Sequence, residues 1–589
     1  SDGDNLKSGV FISQISDASI LGALEKDNLI YIKDELIFWK HDLIGDWARE
    51  RILVENNENF LNFVKDKYPK PQWKHSILLF GQWLLSSPDG VEKWIKFIKD
   101  SKDELQYLLL DSIIFANRLF ELRESIKNAL LDKECELFSL LLNRLFLIAS
   151  SKRVINGQTL PILNLRLALP FLDFINIYSE DIIPYCHHRI SKICIYFLLF
   201  CGGTQYGSAA AKLAVDVAKF AYKNEKHIQV DKKHGSHLYL KNDALDEIWM
   251  SFLFAFQELP ETVMKYSLVF AEIDDPEDEN LKSLLSSNSA TKEMQRCDFL
   301  VEQRYIPAWP NGPKRQISER FREVCLTGNV LNPFFDKYPD DATRLLMAVC
   351  IEAPHYSSPH HDLLSAFGLD MLDRTDHACC YFIGPWLQLL HKHPKKALKI
   401  IIDLVNFATE QFVVAGKQDE QARARIGANN PLLKSLMEPS VWETVLFKEN
   451  TEEQIVWIGD ERVFGWYRNR LINSPIIPTI LMALEKWLYD LVENKDNLDS
   501  HIDFIFAQNK SVAIAGVLCS LVKKHPALLR GKLKVLASAW QFSMWDIRIS
   551  TDDTWKIGFG FYYRRLGETL YNKALEWNQM PHRKNVFRD

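Results

Sequence analysis

One unit recurs along this 589-residue chain and restricts its fold more than any other feature: an apolar helix, a break with proline, then a second amphipathic helix. It reads as Trp83-Leu84-Leu85-Ser86-Ser87-Pro88 followed by Val91, Trp94, Ile95 and Ile98, and again as Phe256-Gln257-Glu258-Leu259-Pro260 followed by Val263, Tyr266 and Val269. The third copy is Trp386 to Pro394 with Leu398, Ile401 and Ile402, and the fourth is Leu518 to Pro526 with Leu529, Leu533 and Leu536. The last two share wording, Lys392-His393-Pro394 and Lys524-His525-Pro526. Proline suits the first turn of a helix, where its missing N–H is no loss. A helix pair of this kind cannot bury its own apolar stripe and stacks on its neighbour, which makes a solenoid.

The copies are irregularly spaced, so the expectation is a mainly α chain built as a degenerate helical-repeat array of HEAT-like or TPR-like character. Helical periodicity dominates beyond about residue 55, as in Phe60-Leu61 with Phe63-Val64, in Tyr107 to Leu110 with Ile113-Ile114, and in Leu137 to Leu147. Alternation of the strand kind is rare after the first forty residues, and strands are expected mainly between about residues 28 and 38. Residues 271–345 read as an irregular hinge or surface excursion between a first helical half, 56–270, and a second, 346–589. There Asp274 to Glu279 is acidic, Ser286 to Ser289 is small and polar, and Pro307, Pro310, Gly312 and Pro313 interrupt the chain.

Composition narrows the class. Apolar content of 47% and charged content of 25% are ordinary for a folded chain, and 589 residues exceed one compact core. The longest apolar run, Ile193 to Cys201, is shorter than the roughly 20 residues that a bilayer span needs. Ten cysteines without a CxxC pair read as reduced core residues, so a cytoplasmic location without structural zinc is expected. A net charge of −6 argues against a nucleic-acid surface. The basic stretches Lys314-Arg315 with Arg320 and Arg322, and Arg564-Arg565 with His582-Arg583-Lys584, read as ion-paired solvent faces near Glu319, Glu323 and Glu568.

Near the start, a helix-like run (Ser19 to Leu24) precedes two short strands, Leu29 to Ile32 and Leu36 to Phe38, and then His41-Asp42 opens the amphipathic stretch Leu43-Ile44-Gly45-Asp46-Trp47-Ala48-Arg49-Glu50-Arg51. This segment resembles the winged helix of STAND-type signalling NTPases, with Lys40 where that family often has an apolar residue. The resemblance implies a winged-helix remnant at 1–55, with His41 reading a nucleotide phosphate and Asp42 capping backbone N–H groups beside it. It also implies that the chain, which opens on Ser1, is the C-terminal part of a larger ATPase whose upstream nucleotide-binding domain supplies ATP or ADP with Mg. Further stretches are similar to the helical region of large bacterial STAND proteins, among them antiphage sensors of the AVAST kind. These are Gly384 to Leu390, Leu404 to Thr409, Trp466-Tyr467-Arg468, Leu481 to Leu488 and Ser511 to Val517. The function implied is that of a sensor region that recognises a protein ligand, such as a phage protein, and relieves autoinhibition.

Enzymatic motifs are sparse. No G-x-x-x-x-G-K-[ST] occurs, Gly202-Gly203 with Gly207 lacks the lysine, and Gly558-Phe559-Gly560 is followed by bulky Phe561-Tyr562-Tyr563. This chain is therefore expected to be no enzyme by itself and to hold no metal. Two alternatives stand beside the sensor: an independent helical scaffold for protein partners, and a helical metal-dependent hydrolase using His355, His360, His361, Asp362, Asp376 and His377.

Overall fold

The computed structural model describes residues 10–15, 18–155, 158–231, 242–271, 273–274, 302–305, 317–351, 379–427, 442–447, 454–468, 476–553 and 568–587. They are mainly helical, as the periodicity predicts, and divide into two compact units, Ser1–Phe220 and Ala221–Asp589. The acidic and proline-rich stretches of 275–300 and 306–316 and the histidine cluster of 355–377 lie outside the described residues.

The first unit opens with strand β1 (Val10–Phe11), helix α1 (Ala18–Lys26) and the hairpin β2 (Ile30–Lys33) to β3 (Leu36–Trp39). The strands form an antiparallel sheet in the order β1-β3-β2, with Lys33 opposite Leu36 across a two-residue turn. Asp34 and Glu35 in that turn both have positive φ, 52° and 60°, the conformation that matches the twist of a two-residue hairpin. Leu21, Ile30 and Ile37 make the small core, with Ile12, Ile15, Leu24, Ile32 and Trp39 packed on it.

Helices α2 (Asp42–Glu55), α3 (Phe60–Val64), α4 (Pro71–Ser86), α5 (Gly90–Asp100), α6 (Asp103–Ala116), α7 (Arg123–Ala149), α8 (Leu165–Ile177) and α9 (Ser179–Phe200) follow. Packing runs between near neighbours in sequence: α4 lies on α2, α5 and α6, and α7 lies on α5, α6, α8 and α9. This is the nearest-neighbour pattern of a helical-repeat array. α10 (Gln205–Asp231) comes next in the chain.

α7 is not one straight helix. Asp132 is extended and Lys133, Glu134 and Cys135 lie in the left-handed region, with φ of 48°, 59° and 59°. Each L-residue held there costs roughly 1–2 kcal/mol.

The second unit contains α11 (Asn242–Phe254), α12 (Pro260–Phe270), α13 (Glu319–Cys325), α14 (Asn332–Lys337) and α15 (Pro339–Cys350), with Trp249, Phe252, Phe270 and Phe321 edge to face in their midst. Three helices thus occupy 319–350, where the sequence predicts an irregular segment. The apolar anchors Phe321, Phe334, Phe335 and Leu345 are buried there and outweigh the turn residues around them. Next come α16 (Trp386–Lys392), α17 (Pro394–Gly427), α18 (Glu461–Phe464), α19 (Ile476–Asn494), α20 (Leu498–Gln508), α21 (Val512–Lys524), α22 (Trp540–Asp553), α23 (Glu568–Asn578) and α24 (Pro581–Lys584). Every residue of α21 from Val512 to Val522 is buried, so this helix is enclosed on all sides. It packs against α17, α18, α19, α22 and α24.

The helix–proline–helix unit has a repeated joint. Leu259, Tyr338, His393 and His525, each just before a proline, share φ between −129° and −130° and ψ between 55° and 74°. At three of the joints the N–H of that residue closes the helix behind it, on the carbonyl of Phe334, Leu389 and Leu521 at 2.7, 2.7 and 2.9 Å. At Leu259 the same N–H closes the short 3-10 turn behind it, on the carbonyl of Ala255 at 2.9 Å. The carbonyls of Leu259, Tyr338 and His393 each accept the first bond of the helix ahead, from the N–H of Val263, Ala342 and Ala397 respectively, at 2.8–2.9 Å. Tyr338-Pro339 is a joint that the sequence reading passed over. At Pro526 the second element is not an α-helix: two 3-10 turns, Pro526–Arg530 and Lys532–Ser538, meet at Gly531. The i, i+3 spacing of buried Leu533 and Leu536 suits the three-residue turn of a 3-10 helix. Leu84, Val263, Ile401 and Leu533 are all buried, at 0–2% exposure.

Strands are not confined to the N-terminal hairpin. β4 (Ser150–Ile155) pairs with β5 (Gln158–Leu163), and β6 (Glu443–Phe447) with β7 (Gln454–Ile458). Each is a two-stranded ribbon attached to helices. The last pair of the first ribbon is Ile155 with Gln158.

Candidate functional site

His41 stands where β3 ends and α2 begins. Its backbone is extended, and its Nδ1 accepts a hydrogen bond from the N–H of Leu43 at 3.2 Å, so the ring caps the helix. An accepting Nδ1 places the proton of the neutral ring on Nε2. The side chain is exposed, and its capping role is compatible with an outward-facing donor. Asp42 is the first residue of α2; its side chain lies outside the described part of the structure. Lys40, the departure noted above, is exposed and reaches Asn28 Oδ1.

The scaffold beneath is tightly tied. Trp39 packs on Gly45 so closely that a Cβ there would fall 2.9 Å from the indole Cδ1, which explains glycine one turn into α2. Arg49 is buried at 2% exposure and donates to Asp46 Oδ1 at 3.1 Å and to the carbonyl of Gln72 at 3.2 Å. The other Asp46 oxygen meets His75 Nδ1 at 2.8 Å. α2 is thereby keyed onto α4 through charge-assisted bonds. Leu43 and Trp47, one turn apart on α2, are exposed, as are Ile20 and Tyr31, the latter stacked on Phe38 at 5.2 Å.

A second polar constellation, absent from the sequence reading, lies in the second unit. Arg583 on α24 donates to Glu485 on α19, with both side chains fully buried. Glu485 also accepts from Tyr489 and Ser520 at 2.6 Å each, and Tyr489 meets His582 Nε2 at 2.8 Å. Beside it, Lys523 pairs with Asp546 at 2.8 Å, and Asp546 accepts from the backbone N–H of Phe587 at 2.6 Å. Burial alone would push the Glu485 carboxyl up. The Arg583 charge and the three hydrogen bonds outweigh it and hold the group below the ordinary carboxylate value. Burial, reinforced by nearby Arg583 and lysines and opposed by Glu485, pulls His582 down to about 4, so this ring is neutral near pH 7.

This corrects the reading of His582 and Arg583 as solvent-facing. Glu485 inside the apolar run Leu481 to Leu488 was the visible signal; its partner lay 98 residues away. Arg320 pairs with Glu323 at 2.5 Å as expected, whereas Arg322 is buried at 3% exposure and is not solvent-facing. The constellation is enclosed protein core that fastens the C-terminal residues 581–587, and its chemistry is that of a structural lock.

Among the described residues no group of three or more His, Cys, Asp or Glu side chains could hold a metal ion, and no helix is long and apolar enough to cross a membrane. No known family model matches the chain, and no curated protein matches it.

Proposed function

We propose that this chain is the ligand-recognition and autoinhibitory region of a STAND-type ATPase that detects a foreign protein, with phage proteins as the expected ligand class. The observation that carries the reading is His41: an exposed imidazole whose Nδ1 is used by its own helix, leaving Nε2–H as an outward donor. A nucleotide phosphate presented by an upstream domain would accept that bond. Exposed Leu43, Trp47 and Ile20 nearby offer apolar surface to the same domain. Array helices would carry the ligand surface, and ligand would act by binding the released state more tightly than the resting state.

The test uses the complete ATPase. His41→Ala removes the phosphate donor and should raise activity without ligand, while affinity of the helical region for its ligand stays unchanged. Unchanged basal activity in His41→Ala, with nucleotide retained as in the parent, would count against the reading. Co-purification of a protein partner with no nucleotide dependence would favour the scaffold alternative.

A further inference from the structure

We infer that the break in α7 is a sprung conformational joint whose second state is an uninterrupted helix. Three observations meet there. The sequence across the break, Leu131-Asp132-Lys133-Glu134-Cys135-Glu136, holds neither glycine nor proline, and lysine and glutamate favour a right-handed helix. Yet Lys133, Glu134 and Cys135 are left-handed, a conformation that L-residues keep only when their surroundings impose it. Asp132, Lys133 and Glu134 are exposed, so the constraint comes from the two flanking arms and from Cys135.

The arms show why. Before the break the buried stripe is Ile126, Ala129 and Leu130; after it, Phe138, Leu141, Leu142, Leu145 and Ala149. At 3.6 residues per turn these stripes would point roughly 120° apart on one continuous helix. The left-handed turn rephases them so that both are buried. The arms are also pinned separately: Glu124 accepts from Tyr178 at 2.9 Å on one side, and Arg144 donates to Asp111 at 2.7 Å on the other. Cys135 is itself buried, its thiol 3.5 Å from the carbonyl of Asp181. Burial of both stripes thus holds the turn against its local preference. Any event that unseats the first arm removes the reason for the break, and α7 then runs right-handed through Asp132, Lys133, Glu134 and Cys135.

Two variants of the full chain test this. In Lys133→Gly/Glu134→Gly the left-handed turn loses its steric cost, and the thermal midpoint should rise by about 2–4 °C. A lowered or unchanged midpoint overturns the proposal, because glycine inside an ordinary helix destabilises it. In Ile126→Ala the first arm loses part of its buried apolar packing. Hydrogen exchange at the amides of 134–138 should then slow by several-fold as the continuous helix gains population, and the glycine pair added to Ile126→Ala should abolish that slowing. Faster or equal exchange in Ile126→Ala shows simple fraying and overturns the second state.

Discussion

Arg583 donates to Glu485 with neither side chain exposed to solvent, so a residue of the last described helix is fixed to the middle of a core helix 98 positions earlier. A buried ion pair of this kind is sensitive to loss of one partner and tolerant of loss of both. Arg583→Met should destabilise the second unit by about 3–5 kcal/mol, because Glu485 is left charged and enclosed. Glu485→Leu combined with Arg583→Met should recover much of that loss. Urea unfolding of the two single variants and the double variant measures the coupling, and strictly additive losses would show that the pair is not coupled.

Acid should weaken the same region. His582 binds its proton at about 4 when folded and at 6.5 ordinarily. Between these values the unfolded chain holds a proton that the folded chain excludes, so stability is full above pH 6.5 and falls as pH drops towards 4. The loss is roughly 3–3.5 kcal/mol at most. Glu485, depressed below its ordinary 4.5, contributes stability above that value which is lost as pH falls through its lower folded value. Unfolding midpoints at pH 7, 5.5 and 4.5 should decline in order, and His582→Gln should flatten the decline.

Gly516→Ala should destabilise the protein although alanine favours helices. A Cβ at this position of α21 would lie 2.5 Å from the carbonyl oxygen of Phe464 and 2.7 Å from the ring of Tyr467. Backbone cannot yield as a side chain can, so a cost of about 1–3 kcal/mol from overpacking should exceed the gain in propensity of up to ~1 kcal/mol. A thermal melt of the variant checks the sign.

The nine cysteines among the described residues are free thiols, and only Cys201 is not buried. Burial pushes the thiols of Cys186, Cys379 and Cys380 up to about 12. Since the thiolate is the reactive form, maleimide at pH 8 should label Cys201 first among these nine, and the others only after denaturant. Peptide mapping by mass spectrometry reads the order. Native labelling of Cys379 at the rate of Cys201 would contradict the packing.

The N-terminal hairpin was legible because strand and turn chemistry are local: Leu36-Ile37-Phe38 after Asp34-Glu35 announces itself within a few residues. The helix pairs were legible through periodicity and proline. The ribbon of 150–163 carried a readable sign in Asn156-Gly157, whereas 443–458 joins its strands through six polar residues, Lys448 to Glu453, without glycine or proline. His41 at a helix start could be read from its neighbours. The pairing of Glu485 with Arg583 could not, because contact across that separation leaves no periodic trace; only the misplaced charge hinted at it. The helices of 319–350 were missed because the acidic, small polar and proline-rich signals of 274–313 were carried on past their own end, although Pro333 and Pro339 occupy first-turn positions.

The joints before Pro339 and Pro394 have a consequence for how this chain can vary. Tyr338 and His393 each finish one helix and begin the next, so no spare residue lies between them. A single insertion beside either would turn the following helix by about 100° and carry its apolar stripe out of contact. These joints keep the reading frame of the packing as codons keep that of a message.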